Sequence, residues 1–288
     1  MNQLAFFVSD LHGSISRFNS LFKLIKEDLP SVVFITGDIL PSGMFAYTSN
    51  NLVASEFIEN ILKKGFLDLK KELGPSYPEV FLILGNDDGR SDEVTFVNAQ
   101  RLRIWNYIHG RKVRFNNIDV YGYSYIPPSP FMLKDWERYD VSRYVDPGCV
   151  PPEEGVFSKY VDKKKLLYKT IKKDIDNLVG SNELNNAIFL FHSPPYDTFL
   201  DRAALDGKTF EHVPLDVHIG SIAVKEFIKE RQPMLTLHGH VHESTSLTGI
   251  YKQKIGDTLA INAAHNGPEL SLIRFNLYAP EGAWRTLI

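Results

Sequence analysis

Five apolar runs of strand length punctuate the chain, at Leu4 to Val8, Val32 to Thr36, Val80 to Leu84, Ala187 to Phe191 and Met234 to Leu237. Each is nearly continuous rather than alternating, which predicts strands buried on both faces. Helical patterns lie between them. Residues 14 to 29 place Ile15, Phe18, Phe22, Ile25 and Leu29 on one stripe, with Ser14 as an N-cap and Pro30 just past the end. Residues 52 to 73 and 163 to 179 look similar. Doubly buried strands separated by amphipathic helices predict the α/β class. From 245 to 276 the pattern turns to short alternating segments broken at Gly249 and Gly256, which predicts antiparallel sheet without a helix.

Residues 127 to 152 hold six of the sixteen prolines among scattered aromatics. Such a stretch resists regular structure, and a long ordered loop in a compact domain is more often functional than not. The expectation is one domain over residues 1 to 288, with residues 124 to 160 as a proline- and aromatic-rich lid or rim. A net charge of −3 supplies no broad basic footprint, which argues against nucleic acid and against an anionic membrane surface as partners. The lysines of DKKKLLYKTIKKD read as the solvent face of a helix. A single cysteine, Cys149, forms no intrachain disulfide, and the N-terminal apolar run is too short for a signal core or a membrane span. A cytoplasmic protein is expected.

Candidate chemistry follows the strands. LAFFV leads into SDLHG, with Asp10 and His12; VVFIT leads into GD, with Asp38; VFLIL leads into GNDD, with Asn86. AIFLF leads into His192, and MLTL leads into HGHVHES, with His240 and His242. In open α/β sheets, residues just past the carboxyl ends of parallel strands converge on one crevice. Taken singly, DLH reads as a capping aspartate beside a half-exposed histidine, GD and GN as tight turns, and His238 as a core or supporting histidine. Five such clusters at the same place relative to a strand do not fit that reading. Imidazoles, carboxylates and an amide oxygen without thiolates suit manganese, iron, zinc or nickel in an open, catalytic site. If HVH is extended, His240 and His242 point to the same side.

The ordered set D-x-H, GD, GN, a single His and GHxH, spanning residues 10 to 242, resembles the calcineurin-like metallophosphoesterase superfamily. The resemblance implies a four-layer αββα sandwich of two mixed β-sheets flanked by helices, with a two-metal site at the strand ends. Carried over by position, it implies that Asp10, His12 and His242 hold one divalent metal ion, that Asn86, His192 and His240 hold a second, and that Asp38 bridges them. The implied reaction is hydrolysis of a phosphodiester, or of a phosphoanhydride or phosphomonoester, by a metal-bridging hydroxide, with manganese, iron or zinc as the metals. The implied substrate is a small-molecule phosphate ester such as a nucleotide. The oligomeric state stays open.

One departure bears on the chemistry. Many members read GNH followed by an acidic residue, the histidine protonating the leaving oxygen; here GNDD puts Asp87 in that place. Branches without that histidine tend to act on phosphodiesters, so a phosphodiesterase is expected over a monoesterase. Asp87 and His218 are the candidate catalytic acids, and Asn86 and Ser221 the candidate substrate contacts, Ser221 with Gly220 offering backbone amides to a phosphate. Capping of the following helix is the plain alternative for Ser221. Tyr123, Tyr125, Trp136 and Tyr196 either line a flat substrate group or belong to the core, and His265 has no assigned part. The competing readings are a catalytically weak scaffold or binding protein on the same fold, and a nuclease. A full ligand set argues against the scaffold, and the absent basic stripe against the nuclease.

Overall fold

The computed structural model describes residues 3–41 and 52–288. The first half runs β1 (Leu4–Val8), α1 (Ile15–Asp28), β2 (Val32–Thr36), α2 (Leu52–Phe57), a π-helical segment (Ile58–Lys63), α3 (Lys64–Leu73), β3 (Glu79–Ile83), α4 (Glu93–Ala99), β4 (Asn106–Tyr107), β5 (Arg111–Phe115) and β6 (Ile118–Tyr123). The second half runs α5 (Lys163–Leu166), α6 (Ile171–Val179), β7 (Ala187–Phe191), a ribbon of β8 (Thr209–Phe210) and β9 (Val213–Pro214), α7 (Ile222–Arg231) and β10 (Leu235–His238). It closes with α8 (Ser244–Thr248), β11 (Lys252–Ile255), β12 (Thr258–Asn262), β13 (Ser271–Asn276) and β14 (Ala279–Leu287).

Two six-stranded mixed sheets result. One has the order β14-β13-β1-β2-β3-β4, with β1 to β4 parallel and β13 and β14 antiparallel. The other has the order β11-β12-β10-β7-β6-β5, parallel at its centre and antiparallel at both edges. Strand periodicity explains why the apolar runs are continuous. On β1, Ala5 and Phe7 pack into the layer between the sheets, while Phe6 and Val8 pack with Phe18, Leu21 and Ile25 of α1. Phe34 stacks between Phe81 and Phe275 in the inter-sheet layer, at 5.9 and 6.2 Å. Burying each such ring stabilises the sandwich by roughly 1.5–3 kcal/mol. The architecture is the expected α/β sandwich with flanking helices.

Two expectations need correction. The helix expected over 163 to 179 breaks after Leu166 and restarts at Ile171, because the Thr170 hydroxyl accepts the Lys173 amide at 3.2 Å and caps a new start. The C-terminal region contains a short helix, α8, ended by Gly249 at φ 73°; five residues are too few for a readable helical period. No helix among the described residues is long and apolar enough to cross a membrane.

Residues 124–160 are knitted into the body. Lys134 is fully buried in an ion pair with Glu137, and Trp136 Nε1 donates to the Asp88 carbonyl at 2.9 Å. Asp140 reaches the start of α7, accepting from the Ser221 hydroxyl and the Ile222 amide at 2.6 Å each. The segment therefore forms a wall beside the GNDD loop.

Candidate metal centre

The loops that follow β1, β2, β3, β7 and β10 meet. The Asp10 and His12 amides donate to the carbonyls of Gly37 and Asp38 at 3.0 and 2.8 Å, zipping the first two loops together. The Gly239 amide donates to the His192 carbonyl at 3.0 Å and joins the last two. Asp10, His12, Asp38 and His240 have φ of 55°, 45°, 49° and 70°, in the left-handed region. Non-glycine residues there cost of order 1–3 kcal/mol each and persist where the surroundings over-determine them, typically at functional sites. His240 in that conformation shows that HVH is not extended: the chain turns as soon as β10 ends.

The side chains form two adjoining groups. Asp10, His12, Asp38 and His242 each offer a ligand atom, and these atoms lie within 4.8 Å of one another. His12 Nε2 is 3.0 Å from His242 Nε2, and His242 Nε2 is 3.1 Å from Asp10 Oδ1. On the other side, His192 Nε2 is 2.9 Å from Asn86 Oδ1 and 3.4 Å from Asp38 Oδ2. The His240 ring lies 5.3 Å from that of His192. Asp38 thus touches both groups, being also 3.8 Å from His12 Nε2.

The donor chemistry fits cations. A carbonyl cannot donate, so His192 Nδ1, 2.7 Å from the Thr36 carbonyl, must carry the proton. Neutral His192 then aims its Nε2 lone pair at the oxygens of Asn86 and Asp38, and three acceptors around one point need a positive charge between them. Without a metal that charge is a proton. Burial would lower the His192 pKa, but Asp38 and Asp10 outweigh it and raise it to about 9. His12 follows the same balance: burial against Asp87, Asp38 and Asp10, with a pKa of about 9. Reciprocally, burial would raise the two aspartates, yet His242 and His192 hold Asp10 at about 2, and His192 and His12 hold Asp38 well below the carboxylate range. His240, half-buried beside His192, has its pKa driven down to about 3 by desolvation and the His192 charge, which leaves its ring neutral near pH 7. A metal would displace protons from this cage.

A sequence model described as calcineurin-like phosphoesterase matches residues 5–244. The chain belongs to the calcineurin-like phosphoesterase family. It is 24% identical over 258 residues to the uncharacterized protein MJ1162 of Methanocaldococcus jannaschii, a match covering 88% of this chain and 85% of that one. Among solved structures, TT1561 of Thermus thermophilus matches with a TM-score of 0.55 at 14% identity, over 100% of this chain and 99% of that one. At that identity the likeness is one of fold.

Within this phosphoesterase, the remaining candidates part company. Asp87 lies at the centre, its carboxylate beside His12 and its amide donating to Asp38 Oδ1 at 2.8 Å. His218 makes no hydrogen bond or ion pair to the seven side chains; its Nδ1 is 2.8 Å from Oδ1 of the fully buried Asp201. Ser221 is a correction. It is fully buried, its amide goes to the Pro194 carbonyl at 2.8 Å and its hydroxyl to Asp140, so it caps α7 and has no donor for a phosphate. The Gly220 amide is likewise taken, by Asp201 at 3.1 Å. Tyr123, Tyr125 and Trp136 are buried, Tyr196 bonds Asp216, and His265 pairs with Glu269. His238 is a buried histidine between the Ser193 carbonyl and Thr236.

Two residues were missed by the sequence reading. Asp88 is fully buried and accepts from the amides of Ile39, Leu40 and Gly85 at 3.0, 2.8 and 2.8 Å, bracing the loops that carry Asp38 and Asn86. Arg17 donates to the Asp10 carbonyl at 2.7 Å and to the carbonyls of Gly267 and Pro268, tying the first loop to the C-terminal region. The doubled acid in GNDD was the available signal for Asp88; Arg17 on a helix gave none.

Proposed function

We propose that the protein is a two-metal-dependent phosphoesterase acting on a phosphodiester in a small molecule, such as a nucleotide. Asp10, His12 and His242 hold one divalent cation, Asn86, His192 and His240 the other, and Asp38 lies between them. The observation that carries this reading is the convergence of His192 Nε2, Asn86 Oδ1 and Asp38 Oδ2 on one point next to the four-residue group. Bound there, two such cations polarise phosphoryl oxygens and lower the pKa of water, so that a nucleophile exists near neutral pH. The nitrogen and oxygen donors suit manganese, iron or zinc. The chain's own part is orientation: the Thr36 carbonyl fixes the His192 tautomer, and the His240 amide fixes the Asp10 carboxylate at 3.0 Å.

Support for a diester comes from the GNDD loop, which offers no imidazole to protonate a poor leaving group, while Asp87 faces His12. His218 is the other candidate for proton delivery; its pairing with buried Asp201 fixes one ring nitrogen, and its Nε2 lies 3.7 Å from exposed Asp197. Residues 124–160 serve as a rim. The unpaired Cys149 fits a reducing, cytoplasmic setting.

The test is metal content together with turnover of bis-p-nitrophenyl phosphate by manganese-loaded protein. Two ions per chain are expected, with turnover abolished in Asp38→Asn and His240→Ala. Normal rates in either variant, or a folded chain that takes up no divalent ions, would overturn the reading.

A further inference from the structure

We propose that Arg17 is a positioning residue for the cation of Asp10, His12 and His242, its guanidinium aiming the Asp10 carboxylate by bracing the loop after β1 against residues 264–270. The inference rests on the two-cation reading and goes beyond it by assigning a part to a residue outside the seven ligands. Arg17 lies in the first turn of α1, where its amide donates to the capping Ser14 hydroxyl at 3.4 Å, so its side chain starts from a fixed point. Its Nη1 donates to the Asp10 carbonyl at 2.7 Å, its Nη2 to the Gly267 carbonyl and its Nε to the Pro268 carbonyl at 3.4 Å. One rigid fork thus joins two segments from opposite ends of the chain.

Peptide planes are rigid, so a residue whose two flanking planes are both held has its φ, ψ and Cβ direction set. Asp10 is held in this way. Its amide goes to the Gly37 carbonyl at 3.0 Å, and its own carbonyl accepts from Arg17. Between these contacts it keeps a φ of 55°, which a non-glycine residue retains only where its surroundings hold it. The carboxylate then meets the His240 amide at 3.0 Å and His242 Nε2 at 3.1 Å. The far end of the brace is anchored as well: the Ala263 amide donates to the His238 carbonyl at 3.1 Å, and Arg285 Nη2 donates to the Ala264 carbonyl at 3.3 Å. Arg17 therefore links the first ligand loop to a segment bonded to the end of β10, which leads into the last. Charge alone would act the other way, since a guanidinium near a divalent-cation site repels the ion. Positioning and charge thus predict opposite signs for its removal. A lysine keeps the charge, but as a point donor on a flexible stem it does not reproduce the fork that spans both segments.

The test is calorimetric titration of metal-free protein with manganese. Wild type should take up two ions; in Arg17→Gln and in Arg17→Lys one of the two should bind about tenfold more weakly, the other nearly as before. Arg231 supplies the control. It donates to the carbonyls of Gly180 and Asn182 at 3.0 and 2.8 Å, a clamp of the same kind at the ends of β7 and β10 away from the histidines. Arg231→Gln should lower the thermal midpoint of the metal-free protein and leave both manganese affinities as they are. Unchanged or tighter manganese binding in either Arg17 variant overturns the positioning role, and so does an equal loss in Arg231→Gln, which would make the effect one of general stability. Arg17→Lys, which keeps stem and charge, carries the test if Arg17→Gln does not fold. A wild-type chain that binds no manganese ends the two-cation reading and this inference with it; equal binding by wild type and both Arg17 variants ends this inference alone.

Discussion

Asp87 Oδ2 lies 3.3 Å from His12 Nδ1, on the side of the ring away from the Nε2 that faces His242. The acid that stands where many relatives carry a proton-donating histidine thus sits behind a proposed ligand. Carboxylates in that position orient a metal-binding imidazole, and their loss typically weakens metal affinity about 10- to 100-fold. Asp87→Asn should therefore bind manganese less tightly while retaining most of its kcat on activated diesters once saturated with metal. A thousandfold fall in kcat at saturating metal would make Asp87 the acid.

His218 gives a complementary expectation. Its Nδ1 is engaged by Asp201, a carboxylate that also accepts the Thr198 amide at 2.8 Å and the Gly220 amide at 3.1 Å and is therefore fixed in place. A proton donor matters for poor leaving groups and hardly for p-nitrophenolate. His218→Asn should lower turnover of an alkyl diester about 100-fold while bis-p-nitrophenyl phosphate is nearly unaffected. Equal losses on both substrates would assign His218 to binding or structure.

Gly85 separates Asp38 from His192. A Cβ there would lie 2.6 Å from both the Asp38 amide nitrogen and His192 Cε1, contacts that side chains essentially never show. Gly85→Ala should thus push apart the two groups that Asp38 joins. The expected result is a folded protein with fewer than two bound metals by mass spectrometry and no turnover. Two metals and wild-type rates would show that the loops yield.

Asp88 carries three amides on two oxygens, and an asparagine offers only one acceptor oxygen in the same volume. Hydrogen bonds to a buried carboxylate are worth about 1.5–3 kcal/mol each, so Asp88→Asn should destabilise the metal-free protein by roughly 2–4 kcal/mol in urea. Burial and the neighbouring Asp38 push the Asp88 pKa up to about 7, which sets the loss nearer the lower end at neutral pH. A loss below about 0.5 kcal/mol would mean that the loops hold without it.

The inner strands and the five polar clusters that converge at their ends were legible because continuous burial and strand-end placement leave a direct mark on the sequence. Ser14 capping α1 was legible for the same reason, a local rule with a local signature. Ser221 showed the limit. Its place before α7 permits either a free phosphate-binding amide or a cap, and Asp140, 81 positions away, decides between them. Likewise the turn at His240 follows from pairing with the His192 loop, and the break at Thr170 from a side-chain cap that competes with helix continuation. Long-range partners fixed Ser221 and the turn at His240, while a local cap fixed the break at Thr170.

His109 carries the pH dependence least entangled with the metal centre. Its Nδ1 accepts the Ser124 amide at 3.0 Å, and the ring packs edge-on against Tyr125 and Trp136, 5.3 and 4.9 Å away. Burial, then the charges of Arg90, Arg138 and Arg111, drive its pKa down to about 3 from an ordinary 6.5. Between those values the unfolded chain takes up a proton that the folded one refuses. The stability His109 contributes is therefore whole above pH 6.5 and is lost as pH falls toward 3, with a slope of up to about 1.4 kcal/mol per pH unit. In metal-free protein, His109→Gln keeps an acceptor for the Ser124 amide and removes the titration. Urea midpoints measured from pH 7 to 4.5 should fall less steeply in that variant than in the wild type; parallel curves would mean that His109 protonates with the fold intact.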